Sequence, residues 1–292
     1  MHGIGEARAA ITIVNALPTG IGAAVGIELR ARADVELHPA GSHGKWDVQV
    51  ADEARTPLVI ASLAAALNQF APGSSGEGAL TLRSEIPPAR GLKSSSAVSS
   101  AVVLAVARAI DADVESIDVA RLSATVSKSA GVSSTGALDD ALAGLRPGVV
   151  VTDNLRGELL KSYPLDPRLG VALFVPPHPH LRSPQWASAF AAEAARGRGA
   201  VDAVLAGEWS AAMQANTELV ERVVGYDYAS VRAELRRRGA IACGVSGMGP
   251  ALAAVAPEER LPEVVAAFPH GPGERHTVSF SHAEPSAEGI PP

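Results

Sequence analysis

The segment PPARGLKSSSA, residues 87–97, has the composition of an anion-binding loop that leads into a helix. A bend at Gly91 is followed by Ser94, Ser95 and Ser96 at the start of an apolar stretch. A helix N-terminus offers unpaired backbone N–H groups and a positive dipole end, and both favour a phosphate group. Serine hydroxyls add hydrogen-bond donors or an oxygen ligand for Mg²⁺. The spacing is not that of a Walker A loop, and a serine-rich helix cap explains the composition equally well.

Asp139 and Asp140 are candidate catalytic carboxylates. They follow Thr135 and Gly136 in the segment SSTGALDDA, near a predicted helix start where the dipole favours negative charge. Adjacent helical residues point about 100° apart, so we expect one carboxylate to face a site and the other to reach solvent or cap the helix. The first would orient an acceptor hydroxyl or a metal ion. Dipole stabilisation alone is the simpler explanation for both residues.

The segment GVSGMGP, residues 244–250, is a glycine-rich connection between two predicted strands. Its glycines indicate positive φ angles or backbone contact with a ligand. It is not a nucleophile elbow, because Met248 stands where that motif needs glycine. A dinucleotide-binding turn is equally poorly matched, because Val25 replaces the third glycine after Gly20 and Gly22.

Composition excludes several classes of protein. The 292 residues contain one cysteine, so a disulfide-stapled scaffold is excluded. A net charge of -6 does not suit a protein that mainly binds nucleic acid, so an anionic ligand must be held locally. The apolar stretch 58–71 is shorter than the roughly 18–20 residues of a membrane span and predicts a core helix. No signal-peptide pattern is recognised, and we expect a cytoplasmic protein.

The elements that must position these motifs alternate between strands and helices. A soft boundary is expected near residues 155–170, a split β-α-β pattern follows it, and the tail from Ser281 is expected to be loose. We predict strands at 9–16, 24–36, 79–85, 148–153, 171–176, 240–244, 251–256 and 276–281. Helices are predicted at 94–110, 119–129, 137–145 and 261–268, and a further set of helices is predicted between the strand at 171–176 and about residue 238.

Taken in order, the motifs resemble those of the GHMP small-molecule kinase superfamily. The pattern Pro-x-x-x-Gly-Leu-x-Ser-Ser matches Pro87, Gly91, Leu92, Ser94 and Ser95, and Ser-Gly-x-Gly-Pro matches Ser246, Gly247, Gly249 and Pro250. Within the superfamily the chain is most similar to archaeal-type shikimate kinases. This similarity rests on VNA at 14–16 with Thr19-Gly20, the triple serine 94–96, TGALDDA at 135–141 and VTDN at 151–154.

The resemblance implies an α+β, two-domain fold, with a ribosomal-S5-like, ATP-binding domain over 1–160 and a ferredoxin-like domain over 161–292. It implies Mg·ATP-dependent phosphorylation of the 3-hydroxyl of shikimate. Another hydroxy compound, such as homoserine, mevalonate or a shikimate-like metabolite, is an alternative acceptor, and a non-catalytic sensor of ATP and a metabolite is an alternative function. The expected partner is a small hydroxy acid. Nucleic acid and membrane are not expected, and a homodimer is left open.

Site residues follow by position from the same resemblance. Residues that would wrap ATP are Pro87, Pro88, Ala89, Arg90, Gly91, Leu92, Lys93, Ser94, Ser95, Ser96 and Ala97, with Ser95 holding Mg²⁺. Asp139 would face the acceptor hydroxyl, with Asp140 as the alternative catalytic residue. Residues bordering the acceptor would be Asn15, Thr19, Gly20, Thr135 and Gly136, while Ser246, Gly247 and Gly249 would hold the phosphate loop or touch substrate. Lys93 replaces the glycine usual in the superfamily. Arg90, Lys128 and Lys161 are candidates to meet a substrate carboxylate.

Overall fold

The computed structural model describes residues 1–38, 46–72, 77–179, 183 and 185–282. Its strands are β1 (His2–Val14), β2 (Ile21–Leu37), β3 (Asp47–Val50), β4 (Gly78–Ser84), β5 (Val149–Asp153), β6 (Glu158–Tyr163), β7 (Leu169–Val175), β8 (Ala242–Val245), β9 (Leu252–Pro257) and β10 (Glu274–Ser279). Its α-helices are α1 (Thr56–Phe70), α2 (Ser94–Ala109), α3 (Ser116–Ser129), α4 (Leu138–Ala143), α5 (Trp186–Ala192), α6 (Ala194–Ala206), α7 (Trp209–Val224), α8 (Ala229–Arg237) and α9 (Leu261–Ala266).

The long strand β2 organises the first sheet. It pairs with β1 along one edge, while its two halves pair with β5 and β4 along the other. The strand order is β3-β4-β2-β5-β6, and all pairs are antiparallel except β3 with β4. β1 is buried along nearly its whole length and consists mostly of small and β-branched residues. Its buried charged residues, Glu6 and Arg8, form ion pairs with Arg32 and Glu28 of β2.

Helix α2 is the central helix of the first half of the chain and packs directly on β1. Apart from Leu104 and Arg108 it consists of alanine, valine and serine, and most of its residues are buried. The approach is close enough that a Cβ atom on Gly5 would overlap the carbonyl oxygen of Ala101. Two of its buried hydroxyls bond to hydroxyls of neighbouring helices, Ser99 with Ser62 at 2.9 Å and Ser100 with Ser123 at 3.1 Å. This packing fixes the N-terminus of α2 at the middle of the molecule.

The second sheet, ordered β10-β7-β9-β8, is antiparallel throughout and packs with helices of the C-terminal half. Its core holds Phe174, Phe190 and Phe268, so much of the small aromatic content is concentrated there. Helix α7 contacts both β8 and β1, and Ile27 of β2 bridges to Phe280 after β10. The two sheets are therefore packed together through shared elements.

The α+β class and the predicted elements around the motifs are confirmed. β3 and β6 were not predicted, because β3 is short and β6 alternates exposed and half-buried residues at a sheet edge. Since β6 belongs to the first sheet, the change from one sheet to the other falls between Tyr163 and Leu169. In the described part of the chain, no helix is long and apolar enough to cross a membrane. The predicted loose tail lies outside the described residues from position 283 onward.

Candidate active site

The phosphate loop, defined as residues 87–93, connects β4 to α2 through an unusual backbone. Ala89, Gly91 and Lys93 have φ angles of 53°, 87° and 64°, which lie in the left-handed region. This conformation suits glycine but costs a residue with a side chain about 1–2 kcal/mol. Lys93 occupies the cap position of α2 and forms no side-chain capping hydrogen bond. The first-turn N–H groups of α2 are therefore not capped by that side chain.

The glycine loop, residues 246–251 between β8 and β9, packs against the phosphate loop and forms hydrogen bonds with its backbone. Ser246 Oγ donates a 2.7 Å hydrogen bond to the carbonyl of Gly91, and the Ala251 N–H donates to the carbonyl of Arg90 at 3.1 Å. A Cβ atom on Gly91 would overlap the carbonyl oxygen of Ser246. The Gly247 N–H in turn donates to Thr12 Oγ1 at 2.8 Å, which ties the glycine loop to β1. The phosphate loop is thus held in place by both halves of the chain.

A cavity of about 570 Å³, called the central cavity, opens between these two loops and the start of α4. Of the predicted residues, it is lined by Asn15, Ala89, Arg90, Gly91, Leu92, Lys93, Ser94, Ser95, Ser96, Thr135, Asp139, Asp140, Gly247 and Gly249. The two aspartates and the phosphate loop therefore face one space. That juxtaposition joins a place for a phosphate group to a place for a proton acceptor.

Asp139 is the more deeply buried carboxylate, with 4% of its surface exposed. It lies against the backbone of Gly22, where a Cβ atom would overlap Oδ2. Asn154 Nδ2 donates a 2.8 Å hydrogen bond to Asp139 Oδ1. Burial, with added repulsion from Asp140, raises the pKa of Asp139 to about 7, although Lys93 and the Asn154 hydrogen bond oppose the shift. A carboxylate in this state is suited to accept a proton near neutral pH.

Asp140 points to a different partner. Its Oδ1 lies 3.1 Å from Lys93 Nζ, and the two groups form an ion pair whose geometry does not meet the criteria for a hydrogen bond. Each of the two side chains is 12% exposed. The expectation that the second carboxylate would reach solvent or cap the helix is wrong, because Asp140 is buried beside Lys93. α4 begins at a left-handed Ala137 with no capping side chain. The adjacent carboxylates thus line the same cavity with separate partners.

Several predicted residues lie away from the lining of the central cavity. The side chain of Thr19 bonds to the backbone of Ile21, and Gly20 lies against Leu155. Gly136 lies over Ala124 of α3. These three positions therefore make local packing contacts and do not line the central cavity.

Two other predicted residues support the phosphate loop from inside the protein. Ser246 is fully buried, and Ala97 is 1% exposed within α2.

Of the cations proposed to meet a substrate carboxylate, Lys161 donates to the carbonyl of Leu205 at 2.6 Å, and Lys128 is exposed on α3 outside the lining of the central cavity. Arg90 lines the central cavity and donates to the carbonyl of Pro177 at 2.5 Å.

A second space, the lateral cavity, adjoins the first and measures about 750 Å³. It is lined by the apolar residues Val50, Ile86, Pro87 and Pro88 and by the charged residues Asp52, Arg55, Glu85 and Glu274, and Arg90 lines both cavities. A ligand with an anionic end in the phosphate loop therefore has room for a second, larger part alongside.

Asn154, Thr12 and Trp186 are site residues to which the sequence motifs assign no role. Asn154 stands in the VTDN segment, which indicates the family but no function for its side chain. Its contact with Asp139 depends on β5 pairing with β2 next to α4, and this pairing has no local signal. Trp186 begins α5 and closes one side of the central cavity.

The residues present fit a magnesium ion carried by a nucleotide. Ser95 is the exposed serine in the first turn of α2, whereas Ser94 and Ser96 are buried. Among the described residues, no cluster of three or more His, Cys, Asp or Glu side chains could hold a metal. Mg²⁺ is commonly held by one or two protein oxygen ligands, often carboxylates, together with substrate phosphates and water. Ser95 Oγ in the first turn of α2 would supply one such oxygen.

Comparisons with known proteins place the chain in a family. Residues 58–148 match the model of the GHMP kinases N terminal domain. A shikimate kinase from Pyrococcus furiosus is 36% identical over 265 residues, covering 90% of this chain and 95% of the relative. A shikimate kinase from Thermococcus kodakarensis is 36% identical over 260 residues, covering 88% and 94%.

Solved structures show the same fold. The mevalonate kinase of Methanococcus jannaschii aligns with a TM-score of 0.73 at 12% identity, over 97% of this chain and 99% of that one. A putative homoserine kinase from Listeria monocytogenes aligns with a TM-score of 0.67 at 21% identity, over 97% and 98%. The matched family model, together with relatives 36% identical over most of the chain, shows that this chain is a GHMP kinase, an ATP-dependent phosphotransferase that acts on a hydroxyl group. Within that class, the chain belongs to the family of archaeal shikimate kinases.

Proposed function

We propose that this protein transfers the γ-phosphate of ATP to the 3-hydroxyl of shikimate. The observation that carries this proposal is the central cavity, which is lined both by Asp139 and by the phosphate loop that leads into the N-terminus of α2. We infer the identity of the acceptor from relatives that are named shikimate kinase and are similar over nearly the whole chain.

The reaction is an in-line displacement at phosphorus. The hydroxyl oxygen of the acceptor forms a bond to the γ-phosphorus, and the bond from that phosphorus to the oxygen bridging to the β-phosphate breaks, so ADP leaves. The hydroxyl proton passes to the carboxylate of Asp139. Because the transition state of phosphoryl transfer is loose, positioning and charge stabilisation supply most of the catalysis.

The nucleotide is proposed to occupy both cavities. Its phosphates would accept hydrogen bonds from the first-turn N–H groups of α2, and its nucleoside would enter the lateral cavity beside Pro87 and Pro88. Ser95 would hold the magnesium ion, which neutralises phosphate charge when bound.

The acceptor is proposed to lie in the rest of the central cavity. Asn15, Thr135 and Gly247 offer polar groups there, and Met248 and Trp186 provide apolar surface. This mixture suits a small ring with several hydroxyls. Homoserine and mevalonate are the alternative acceptors, but the structures with those names are similar at identities that indicate only the fold. A reaction that consumes ATP is consistent with the expected cytoplasmic location.

The proposal is tested by locating the phosphorus in the product. After incubation with shikimate and Mg·ATP, phosphorus–proton NMR coupling is expected between the new phosphate and the proton on carbon 3. Coupling to another ring proton, or release of inorganic phosphate alone, would overturn the assignment.

A further inference from the structure

Lys93 combines an unfavourable backbone conformation with a nearly buried charge. Its φ of 64° is one that glycine adopts freely, yet the residue carries a long cationic side chain. Ala89, Asp111 and Ala137 are the other described non-glycine residues with positive φ, and two of them also line the central cavity. Such conformations persist where the surrounding structure enforces them, and they concentrate at functional sites. The side chain of Lys93 is therefore the feature that needs an explanation.

The ammonium group of Lys93 lies inside the central cavity. Nζ is 3.1 Å from Asp140 Oδ1 and 3.2 Å from the position that a Cβ atom on Gly247 would take. It thus sits between the start of α4 and the glycine loop, in the cavity that the serines of α2 also line. An ammonium has three N–H donors, so one carboxylate leaves it able to bind a second anion.

We propose that Lys93 is a catalytic residue whose ammonium binds the γ-phosphate of ATP, and that Asp140 is a positioning residue that holds this ammonium in place. This rests on the proposed use of the central cavity for ATP. The phosphate loop and the first turn of α2 then contribute backbone N–H groups, and Lys93 a positioned positive charge, to the same anion. Charge that develops on the transferring group is stabilised by a cation aligned before the reaction begins.

The two adjacent carboxylates acquire separate functions in this arrangement. Asp139 bonds to Asn154 and accepts the proton, while Asp140 faces Lys93. A purely structural ion pair is the competing explanation. In that case, removing both charges together should restore what removing one of them costs.

The two explanations are separated by a double-mutant cycle with Lys93→Gly, Asp140→Asn and the double variant. Glycine suits the left-handed backbone, so Lys93→Gly removes the ammonium without new strain, and the double variant avoids an unpaired buried carboxylate. We expect Lys93→Gly to lower kcat by about 10²–10³-fold. Asp140→Asn should cost about tenfold, because a misplaced ammonium keeps its charge. The double variant should match Lys93→Gly, since Asp140 acts through Lys93.

Nucleotide binding gives a readout that needs no acceptor. In calorimetric titrations with Mg·ATP and Mg·ADP, Lys93→Gly should weaken ATP about tenfold and ADP less than about threefold, because only ATP carries the γ-phosphate. The exposed Arg237→Ala on α8 serves as the matched loss of a positive charge and should leave both affinities unchanged. If the wild type does not phosphorylate shikimate, the proposed acceptor is wrong. The nucleotide titration would still test the role of Lys93, because it needs no acceptor.

Two results would overturn the role of Lys93. One is a double variant with wild-type kcat, which would make the pair structural. The other is an equal change in ATP and ADP affinity on Lys93→Gly, which would place the ammonium away from the γ-phosphate.

Discussion

The side-chain amide of Asn154 donates a 2.8 Å hydrogen bond to Oδ1 of Asp139. The hydrogen bonds of its oxygen fix the orientation of this amide. Asn154 Oδ1 accepts from Thr152 Oγ1 at 2.6 Å and from the Asp139 N–H at 3.4 Å. A backbone N–H can only donate, so the oxygen must face it and the NH₂ must face the carboxylate. Asn154 therefore stabilises the charged form of the proposed base.

Replacing Asn154 by leucine keeps a similar volume and removes this donor. We expect the pKa of Asp139 to rise, because a hydrogen bond to the charged form is lost while burial and repulsion from Asp140 remain. Since the base must be ionised, the acid limb of kcat/KM should move to higher pH by about one unit. Asn68→Leu, at an exposed position of α1, should not move it. A lower rate with an unmoved acid limb would reduce Asn154 to a packing role.

Asp139→Asn should lower kcat by about 10²–10⁴-fold with little change in ATP affinity, because it removes the proton acceptor and leaves the phosphate loop intact. Steady-state ADP release and nucleotide titration measure the two effects. A turnover close to that of the wild type would remove Asp139 from catalysis.

The same substitution should stabilise the fold at neutral pH. The pKa of Asp139 is raised from 3.8 to about 7, so the folded state holds this proton more tightly than the unfolded state. Stability from this group is therefore lost as pH rises from about 4 to about 7. As pH rises across this window, we expect the unfolding temperature of Asp139→Asn to increase relative to that of the wild type. A constant difference at all pH values would contradict the raised pKa.

Ser95→Ala should raise the Mg²⁺ concentration needed for half-maximal rate, because it removes the exposed hydroxyl at the phosphate loop. The change in kcat at saturating Mg²⁺ should be smaller. Ser230→Ala, at an exposed position of α8, is the control. Superimposable Mg²⁺ titrations of Ser95→Ala and the wild type would argue against the assignment.

Gly22→Ala should impair turnover without touching the nucleotide, since its Cβ atom would overlap the carboxylate of Asp139. We expect a loss of about 10²-fold in kcat, as for other small displacements of a catalytic group. Gly199→Ala in α6 adds the same methyl group where no atom outside the adjoining backbone of that helix lies within 4 Å, and it should leave kcat unchanged. Equal activity of the two variants would show that the carboxylate need not hold its position.

Local patterns predicted the phosphate loop and α2 because a glycine bend, small hydroxyls and an apolar run are all contiguous. The ion pair between Lys93 and Asp140 could not be predicted in this way, because it depends on how α4 packs against the phosphate loop. Adjacent aspartates at a helix start suggested one buried and one exposed residue. A buried cation from a distant segment changed that outcome, and only tertiary structure could reveal it.

The substrate assignment is tested most directly by ADP release with shikimate, homoserine and mevalonate in parallel, with Asp139→Asn as the matched inactive control. We predict Mg²⁺- and ATP-dependent turnover with shikimate at a kcat/KM at least about 10³-fold above either other acceptor, because a site built for several ring hydroxyls leaves polar groups unpaired with the others. Comparable or greater turnover with homoserine or mevalonate, or ATP binding without turnover of any acceptor, would contradict it.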